Sequence, residues 1–311
     1  MFAGADFLRR QIVIINIRNF IMKFIETLIN GLSVGSTYAM IALGYTMVYG
    51  IAKMLNFAHG DIIMVGGYTI FVTMTLSGSP VLGLIAAVIF CVALGITIEK
   101  IAYKPLRGAS PLAVLITAIG VSYLLQSTAQ IIFGSAPKMV NVADLGNVKF
   151  AGLSVPVYTL VTLACSVVIM IVLGLFVKYT KTGRAMIAVS EDKGAAQLMG
   201  INVNKIIMIT FAIGSGLAAF AGFFMLMKSP SLSNTLGAMP GIKAFTAAVI
   251  GGIGSIPGAM LGGLLMGVVE AFSLNIPAIA PYTDAIEFII LIIILLVRPT
   301  GILGKKRREK V

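Results

Sequence analysis

Acidic residues and a single histidine are the side chains of this chain that could carry proton or ion chemistry. The 311 residues include 11 Asp and Glu and one His. Four carboxylates, Glu26, Asp61, Glu270 and Glu287, lie near the ends of long apolar runs. A charge at the centre of a bilayer costs about 2.5–3.5 kcal/mol on insertion scales, so carriers coupled to protons or sodium keep such charges for function. The sequence shows no chain of intramembrane acids that would form such a relay.

Structural explanations compete with chemistry for three of these ionisable groups. Asp284 and Glu287 are three residues apart before an apolar run, which predicts an N-cap and its N3 partner for the last helix. His59 stands in Asn56-Phe57-Ala58-His59-Gly60-Asp61 and could act as a pH switch. An isolated histidine beside an apolar run is more often a polar anchor at the membrane interface, and we expect that role here.

Enzymatic motifs are absent from the sequence. There is no G-x-x-x-x-G-K-[ST] segment, so the chain is not expected to bind ATP through a P-loop. No cluster of His, Cys, Asp and Glu has the spacing of a metal site, and no nucleophile motif is present. We therefore expect neither catalysis, nor a metal, nor a cofactor in the chain itself.

A polar segment, residues 183–204, separates two long apolar runs. Its residues predict a short helix that begins after the N-cap Ser190 and ends at Gly200. Glu191 and Asp192 fall in the first turn, where the helix dipole favours acids.

One face of this predicted helix is small and apolar, because Ala195, Leu198 and Met199 recur at i, i+3 and i+4. A charged, structured insert between lipid-embedded runs is expected to face a partner in the cytoplasm. An ordinary interhelical loop is the alternative.

The composition is that of an integral membrane protein. Hydrophobic residues make up 59% of the chain and charged residues 11%, against about 25% charged residues in soluble domains. The net charge of +12 is scattered between apolar runs rather than gathered in a stripe for nucleic acid. Cytoplasmic loops of membrane proteins collect Lys and Arg, which places three basic groups inside the cell. These groups are Lys100, Lys104 and Arg107; Lys178, Lys181 and Arg184; and the tail 298–310.

The apolar runs predict an all-α, polytopic bundle with about eight membrane segments, since about 20 helical residues cross a hydrocarbon core. The predicted segments are roughly 24–50, 61–78, 81–98, 112–133, 155–177, 206–227 and 284–298, with a Gly-rich stretch at 244–273. Residues 1–23 form an extension that is interfacial or amphipathic. A basic tail at 301–311 follows the transmembrane region 24–300. With loop 178–205 and the tail both cytoplasmic, an odd number of crossings must follow 206–227, so the stretch 244–273 is predicted to be broken or re-entrant.

Glycines in that stretch repeat every fourth residue at Gly254, Gly258 and Gly262, as they do at Gly31 and Gly35. Such faces allow helices to approach closely in lipid, and packing alone is one explanation.

A break at Ser255-Ile256-Pro257 favours a second explanation, because discontinuous helices often mark transport sites. The candidate pore-lining residues are Gly251, Gly252, Gly254, Ser255 and Gly258.

Several runs resemble one family. Residues 30–50 (NGLSVGSTYAMIALGYTMVYG) and the following motif Asn56, Phe57, His59 and Gly60 are similar to the permease subunit of bacterial high-affinity branched-chain amino acid ABC importers, the LivH type. The stretch 243–272 resembles the same family, as does the segment 191–202. The resemblance covers about 24–300, and related sugar permeases carry similar glycine patterns.

The resemblance implies partners that this chain would need. It implies a second permease subunit, two cytoplasmic ATPase subunits that bind ATP and Mg²⁺, a separate extracytoplasmic substrate-binding protein, and a place in the bacterial inner membrane. It also implies that the segment within loop 178–205 is the helix that couples the permease to the ATPases. The residues assigned to that helix are Glu191, Asp192, Ala195, Ala196, Leu198 and Gly200.

The function expected from the resemblance is inward movement of leucine, isoleucine and valine by alternating access, powered by the partner ATPases. A permease for an amide, urea or a sugar is the alternative within transport. An ion-coupled carrier or channel is the alternative from another class, and it conflicts with the lack of intramembrane acids and with the insert 183–204. A structural scaffold would need no broken glycine-rich span.

Overall fold

The computed structural model describes residues 2–142, 145–150 and 153–304. The architecture is helical, as predicted. The α-helices within the described residues are α1 (Phe2–Ala52), α2 (His59–Ser77), α3 (Pro80–Ile98), α4 (Pro111–Phe133), α5 (Val157–Tyr179), α6 (Lys181–Glu191), α7 (Lys193–Leu198), α8 (Val203–Lys228), α9 (Ala238–Gly251), α10 (Ile256–Leu274) and α11 (Thr283–Val297).

Short irregular elements complete the chain. A π-helical turn, Glu99–Tyr103, and a 3-10 turn, Lys104–Leu106, extend α3, and a 3-10 turn, Ala280–Tyr282, precedes α11. Two antiparallel ladders lie in the loops. They pair β1 (Lys138–Met139) with β4 (Ser231–Leu232), and β2 (Asn147–Phe150) with β3 (Leu153–Pro156).

Serine caps followed by proline begin three of the helices. Ser79, Ser110 and Ser255 each have extended backbone and accept a hydrogen bond from the N–H three residues later, at 3.3–3.4 Å. A proline lies in the first turn of each helix, where its missing N–H costs nothing. Gly78, at φ 67°, ends α2 in the left-handed conformation that glycine tolerates. Local sequence therefore sets these boundaries.

Six of the predicted membrane segments are found as apolar helical segments within the described residues, α10 falls within the Gly-rich stretch, and the predicted segment 24–50 forms part of α1, which is not among them. By length and composition, seven helical segments of the described chain are apolar enough to cross a membrane: His59–Ser77, Pro80–Leu106, Pro111–Phe133, Val157–Tyr179, Val203–Lys228, Ile256–Leu274 and Ala280–Val297. The central helix α1 packs against α10, α8, α9 and α5, and its second half is almost wholly buried. Helix α9 has 14 residues and is about 21 Å long, shorter than a hydrocarbon core of about 30 Å.

The predicted break in the Gly-rich stretch is confirmed. Helix α9 ends at Gly251, Gly252 and Gly254 adopt φ values of 106° and 94°, and Ser255 caps α10. Gly254 therefore lies in the break. The spacing of every fourth residue predicted that it would share a helix face with Gly258 and Gly262, and it does not. The two helical glycines instead face α9, where neither has room for a Cβ.

Contacts define two ends of the bundle. At the end that we call the basic end, Arg107 contacts Asn204 at the start of α8, and Lys193 contacts Ala52 at the end of α1. At the opposite end, Glu26 Oε1 accepts from the Ser154 N–H at 2.8 Å. Helix α1 therefore runs from the opposite end to the basic end, and the positive-inside rule predicts that the basic end faces the cytoplasm.

The chain returns to the basic end after three passes beyond α8. Ile302 and Leu303 donate backbone hydrogen bonds to Ile250 and Gly251 at 2.8 and 3.0 Å, so the α9–α10 break lies beside the end of α11. Residues 229–237 together with the short helix α9 make the first pass, and α10 and α11 make the second and third, so an odd number of passes follows α8, as predicted for a cytoplasmic tail. Residues 305–311, the basic part of the predicted tail, lie outside the described residues.

Glycines bring α1 and α10 into backbone contact. A Cβ at Gly35 would lie 2.8 Å from the Leu264 Cα, and one at Gly31 would lie 2.9 Å from the Val268 Cα. On α10, Gly263 and Gly267 have no room for a Cβ against α1. This is the close approach that small residues permit in lipid. Helix α1 is continuous through residue 23, and the division of an N-terminal extension from the permease region stays a prediction.

Candidate functional site

The polar insert between α5 and α8 folds as two helices, where one was predicted. Helix α6 continues through Ser190, whose hydroxyl donates to the Ile187 carbonyl at 2.7 Å. Asp192 ends α6 and caps α7, and its Oδ1 accepts from the Ala195 N–H at 2.9 Å. The prediction of Ser190 as the N-cap is therefore wrong. Both residue types cap well, and the carboxylate two residues later holds that position.

The predicted end of this insert is confirmed. Gly200 has φ 81°, and the Ile201 N–H donates to the Ala196 carbonyl at 3.0 Å, which is the six-to-one bond of a Schellman motif. Ala196 is the buried residue of α7. Leu198 and Met199 are 90% and 82% exposed, so most of the predicted apolar face points away from the protein.

Helix α7 is attached to the end of the central helix. The Lys193 ammonium donates to the Ala52 carbonyl at 2.8 Å, where the C-terminal dipole of α1 favours a cation. Burial, and after it the charge of Arg107, lower the pKa of Lys193 below its usual range. Arg107 itself pairs with Glu99 and Asn204, which joins the end of α3 to the start of α8. The basic end is thus held together by side chains from α3, α7 and α8.

The motif of Asn56, Phe57, His59 and Gly60 lies inside the bundle. The Tyr103 hydroxyl donates to Asn56 Oδ1 at 2.8 Å, and the Phe57 ring lies 5.3 Å from that of Phe245. Residues 53–58 are largely non-helical, and they carry the chain from the end of α1 back towards the bundle interior.

His59 is not at the interface, and the prediction that it is a polar anchor there is wrong. It is 1% exposed and lies against Gly44, eight residues before the end of α1, which is a depth of about 12 Å. Its ring meets that of Tyr45 edge-on at 4.8 Å. No described residue makes a hydrogen bond with its Nε2. A role in pH sensing stays a prediction.

Gly60 marks the contact between the starts of α2 and α9. Its backbone meets those of Gly237 and Gly241 without room for a Cβ. Leu232 and Leu236 reach Gly67 of α2, so the segment between α8 and α9 enters the bundle from the opposite end. The structure thus contains a second non-helical stretch within the bundle, at residues 229–237, which includes β4.

The candidate pore-lining glycines lie at the basic end. Gly251 and Gly258 face each other across the α9–α10 turn, and Gly252 packs against the turn after α11. Gly254 is exposed, and the Ser255 hydroxyl caps α10 by accepting from the Gly258 N–H at 3.3 Å. These contacts are those that tight packing needs, and a role in lining the pore stays a prediction.

A charge cluster, buried except for Asp284, joins α9, α10 and α11. The Lys243 ammonium lies 3.2 Å from Glu270, 2.8 Å from Asp284 and 3.2 Å from Glu287. The Tyr38 hydroxyl of α1 donates to Glu270 Oε2 at 2.6 Å. The prediction that Asp284 and Glu287 cap the last helix is wrong. Helix α11 begins at Thr283 without a side-chain cap, and Glu287 is fully buried against Lys243.

Comparison with known proteins assigns the family. The family model described as "Branched-chain amino acid transport system / permease component" matches residues 27–295. The high-affinity branched-chain amino acid permease protein BraD of Pseudomonas aeruginosa is 44% identical over 305 residues, which cover 94% of this chain and 99% of that protein. LivH of Escherichia coli (strain K12) is 41% identical over 306 residues, covering 93% and 98%. The chain therefore belongs to the family of permease components of branched-chain amino acid transport systems.

Proposed function

We propose that this chain is the membrane-spanning permease subunit of an ABC importer that moves leucine, isoleucine, valine or similar amino acids into the cell by alternating access. ATP hydrolysis in two separate cytoplasmic subunits drives the cycle. A second permease subunit completes the pore, and an extracytoplasmic binding protein delivers the substrate. ATP and Mg²⁺ bind to the ATPase subunits, and the complex resides in the bacterial inner membrane.

The observation that carries this proposal is the construction of the α6–α7 insert. Leu198 and Met199 form an exposed apolar pair beside the exposed polar residue Gln197 at the basic end. Exposed apolar groups with a polar rim mark surfaces for protein partners. Helix α7 is also tied to the end of α1 through Lys193, so a displacement of α7 would move the central helix.

The substrate assignment rests on the relatives. The permeases that match nearly the whole chain are described as parts of branched-chain amino acid transport systems. The chain also has few ionisable groups in its spans. This fits an importer powered by ATP hydrolysis in partner chains rather than by an ion gradient.

Reconstitution tests the proposal directly. The chain, its second permease subunit and the ATPases are placed in proteoliposomes, with the binding protein and radiolabelled leucine on the outer side. We expect uptake that requires enclosed ATP and that excess isoleucine or valine inhibits, whereas urea and ribose do not. Leucine uptake by the chain alone, without ATPases, would contradict the proposal and indicate a carrier or channel.

A further inference from the structure

A two-part cleft opens at the opposite end of the bundle, between α1, α5, α8 and α10. Its two adjoining cavities measure about 210 and 310 Å³ and share Ser33, Val34, Tyr158 and Lys228 as lining residues. Each volume is many times the roughly 15 Å³ that one water needs. The cleft therefore has room for a small organic molecule.

The two cavities differ in character. The first is walled by Val34, Phe224, Met225 and Leu236, which suit an aliphatic group. The second carries Asn30, Asn275 and the carboxylate of Glu270. Small-molecule sites combine apolar walls with a few convergent polar groups in this way.

One cation and one carboxylate that line the cleft can each accommodate a further ion pair or hydrogen bond. Lys228 is exposed where the two cavities join, and none of the described carboxylates pairs with it. Glu270 accepts from Tyr38 and from Lys243 through Oε2, and no bond to Oε1 occurs within the described part of the chain. An ammonium group in the second cavity could therefore reach Oε1, with a carboxylate held at Lys228.

A hydroxyl without a partner also faces the first cavity. Thr162 is 3% exposed, lines that cavity, and its Oγ1 makes no hydrogen bond to any described residue. Ser166, about one turn further along α5, is fully buried and likewise lacks a partner in the described structure. Buried polar atoms are almost always satisfied, so water or a ligand in the first cavity is expected to bond the Thr162 hydroxyl.

We infer that this cleft is a binding site for the amino acid zwitterion within the permease. Lys228 binds the carboxylate, Glu270 Oε1 accepts from the ammonium group, and the aliphatic side chain occupies the first cavity. The pairing of one cation with one carboxylate recognises both ends of a free amino acid, and it would reject urea or a sugar. This inference rests on the proposed function. Its own test measures leucine binding to the chain, whereas the test of the proposed function measures transport.

Equilibrium binding of radiolabelled leucine to the full chain in lipid nanodiscs tests the site without the binding protein or ATP. We expect saturable binding that isoleucine and valine displace. Leucinamide lacks the carboxylate and 4-methylpentanoate lacks the amine, so both should compete at least about tenfold less well, the loss of one hydrogen bond to a charged group.

Variants separate the cleft from other surfaces. Lys228→Met should weaken leucine binding about tenfold and remove the preference for leucine over leucinamide. Lys228→Arg should retain both, and Thr162→Val, which removes a hydroxyl that an aliphatic side chain cannot bond, should leave both unchanged. Lys149→Met, an exposed lysine in β2 at the same end, is the matched control and should bind as the wild type does.

Outcomes for the site and for the proposed function are distinguishable. No saturable binding up to about 10 mM leucine, or equal binding by the Lys228→Met and Lys149→Met variants, would overturn the site, even if the reconstituted importer takes up leucine. Binding that follows these expectations, in a chain whose reconstituted complex imports no amino acid, would uphold the site and refute the proposed function.

Discussion

The ammonium of Lys243 lies 3.2 Å from Oε2 of Glu287, a carboxylate that is fully buried, and this contact fixes the short helix α9 to α11. The same ammonium reaches Glu270 on α10 and Asp284 on α11. Helix α9 is too short to cross the membrane, so it depends on its neighbours for position. One lysine therefore anchors three helices.

Removing Lys243 should unfold this corner of the bundle. In a Lys243→Met variant, the buried carboxylates lose their cation, and we expect a loss of about 3–5 kcal/mol in the free energy of unfolding. Chemical denaturation of the purified chain in detergent measures it. Lys205→Met, an exposed lysine at the basic end, is the control and should have wild-type stability.

A second substitution checks the cause of that loss. Adding Glu287→Gln to Lys243→Met removes one uncompensated charge, so the double variant should be less destabilised than the two single variants predict by addition. Wild-type stability of Lys243→Met alone would contradict the anchoring role.

Backbone contact between α1 and α10 predicts a steric effect at Gly35. The Cβ of a Gly35→Ala variant would lie 2.8 Å from both the Cα and the carbonyl oxygen of Leu264, so the helices must separate. We expect a cost of about 1–3 kcal/mol in the free energy of unfolding. Gly174→Ala on α5 has nothing within 4 Å of the new Cβ and should be neutral or stabilising. Equal effects of the two substitutions would show that helix propensity, rather than packing, determines the change in the free energy of unfolding.

Local features of this chain could be predicted from its sequence because they depend on residues within one or two turns. Ser255 and the prolines and glycines around it predicted the break, and Gly200 predicted the end of α7. The cap at Asp192 was missed because Ser190 offered an equally good candidate two residues earlier. Which of two neighbouring residues of similar capping strength becomes the N-cap depends on tertiary packing, and sequence periodicity does not show that packing.

Long-range contacts could not be predicted in the same way. Asp284 and Glu287 have the spacing of a capping pair, and only the position of Lys243, about 40 residues earlier in the chain, gives them another role. His59 likewise follows an unwound segment whose path into the bundle depends on contacts with Tyr103 and Phe245. The approximate bounds of α2, α3, α4, α5, α8 and α11 followed from hydropathy, whereas the polar contacts inside the bundle required the fold.

The exposed apolar pair on α7 predicts a loss of coupling without a loss of folding. Leu198 is 90% exposed, so Leu198→Asp should leave the stability of the isolated chain unchanged. If Leu198 contacts the ATPase, the charge should reduce ATP-driven leucine uptake by about tenfold, the effect of losing about 1.4 kcal/mol of contact energy. The Leu198→Met variant keeps the apolar area and should transport normally. Full uptake by Leu198→Asp would exclude this surface as the ATPase contact.

Lys193 provides the final prediction, because its bond to the Ala52 carbonyl is a direct link between α7 and the central helix. A Lys193→Met variant should still bind the ATPases through Leu198 and Met199, yet movement of α7 would reach α1 less effectively. We therefore expect fewer leucine molecules imported per ATP hydrolysed, with ATPase activity retained, when both are measured in the same proteoliposomes.

Lys193→Arg keeps a donor at this position and should restore part of the ratio. Lys205→Met, which removes a lysine at the same end of the bundle, should leave the ratio unchanged. If Lys193→Met also leaves it unchanged, force from the ATPase must reach the spans by another route, and the Arg107 contacts with Glu99 and Asn204 then become the connection to test.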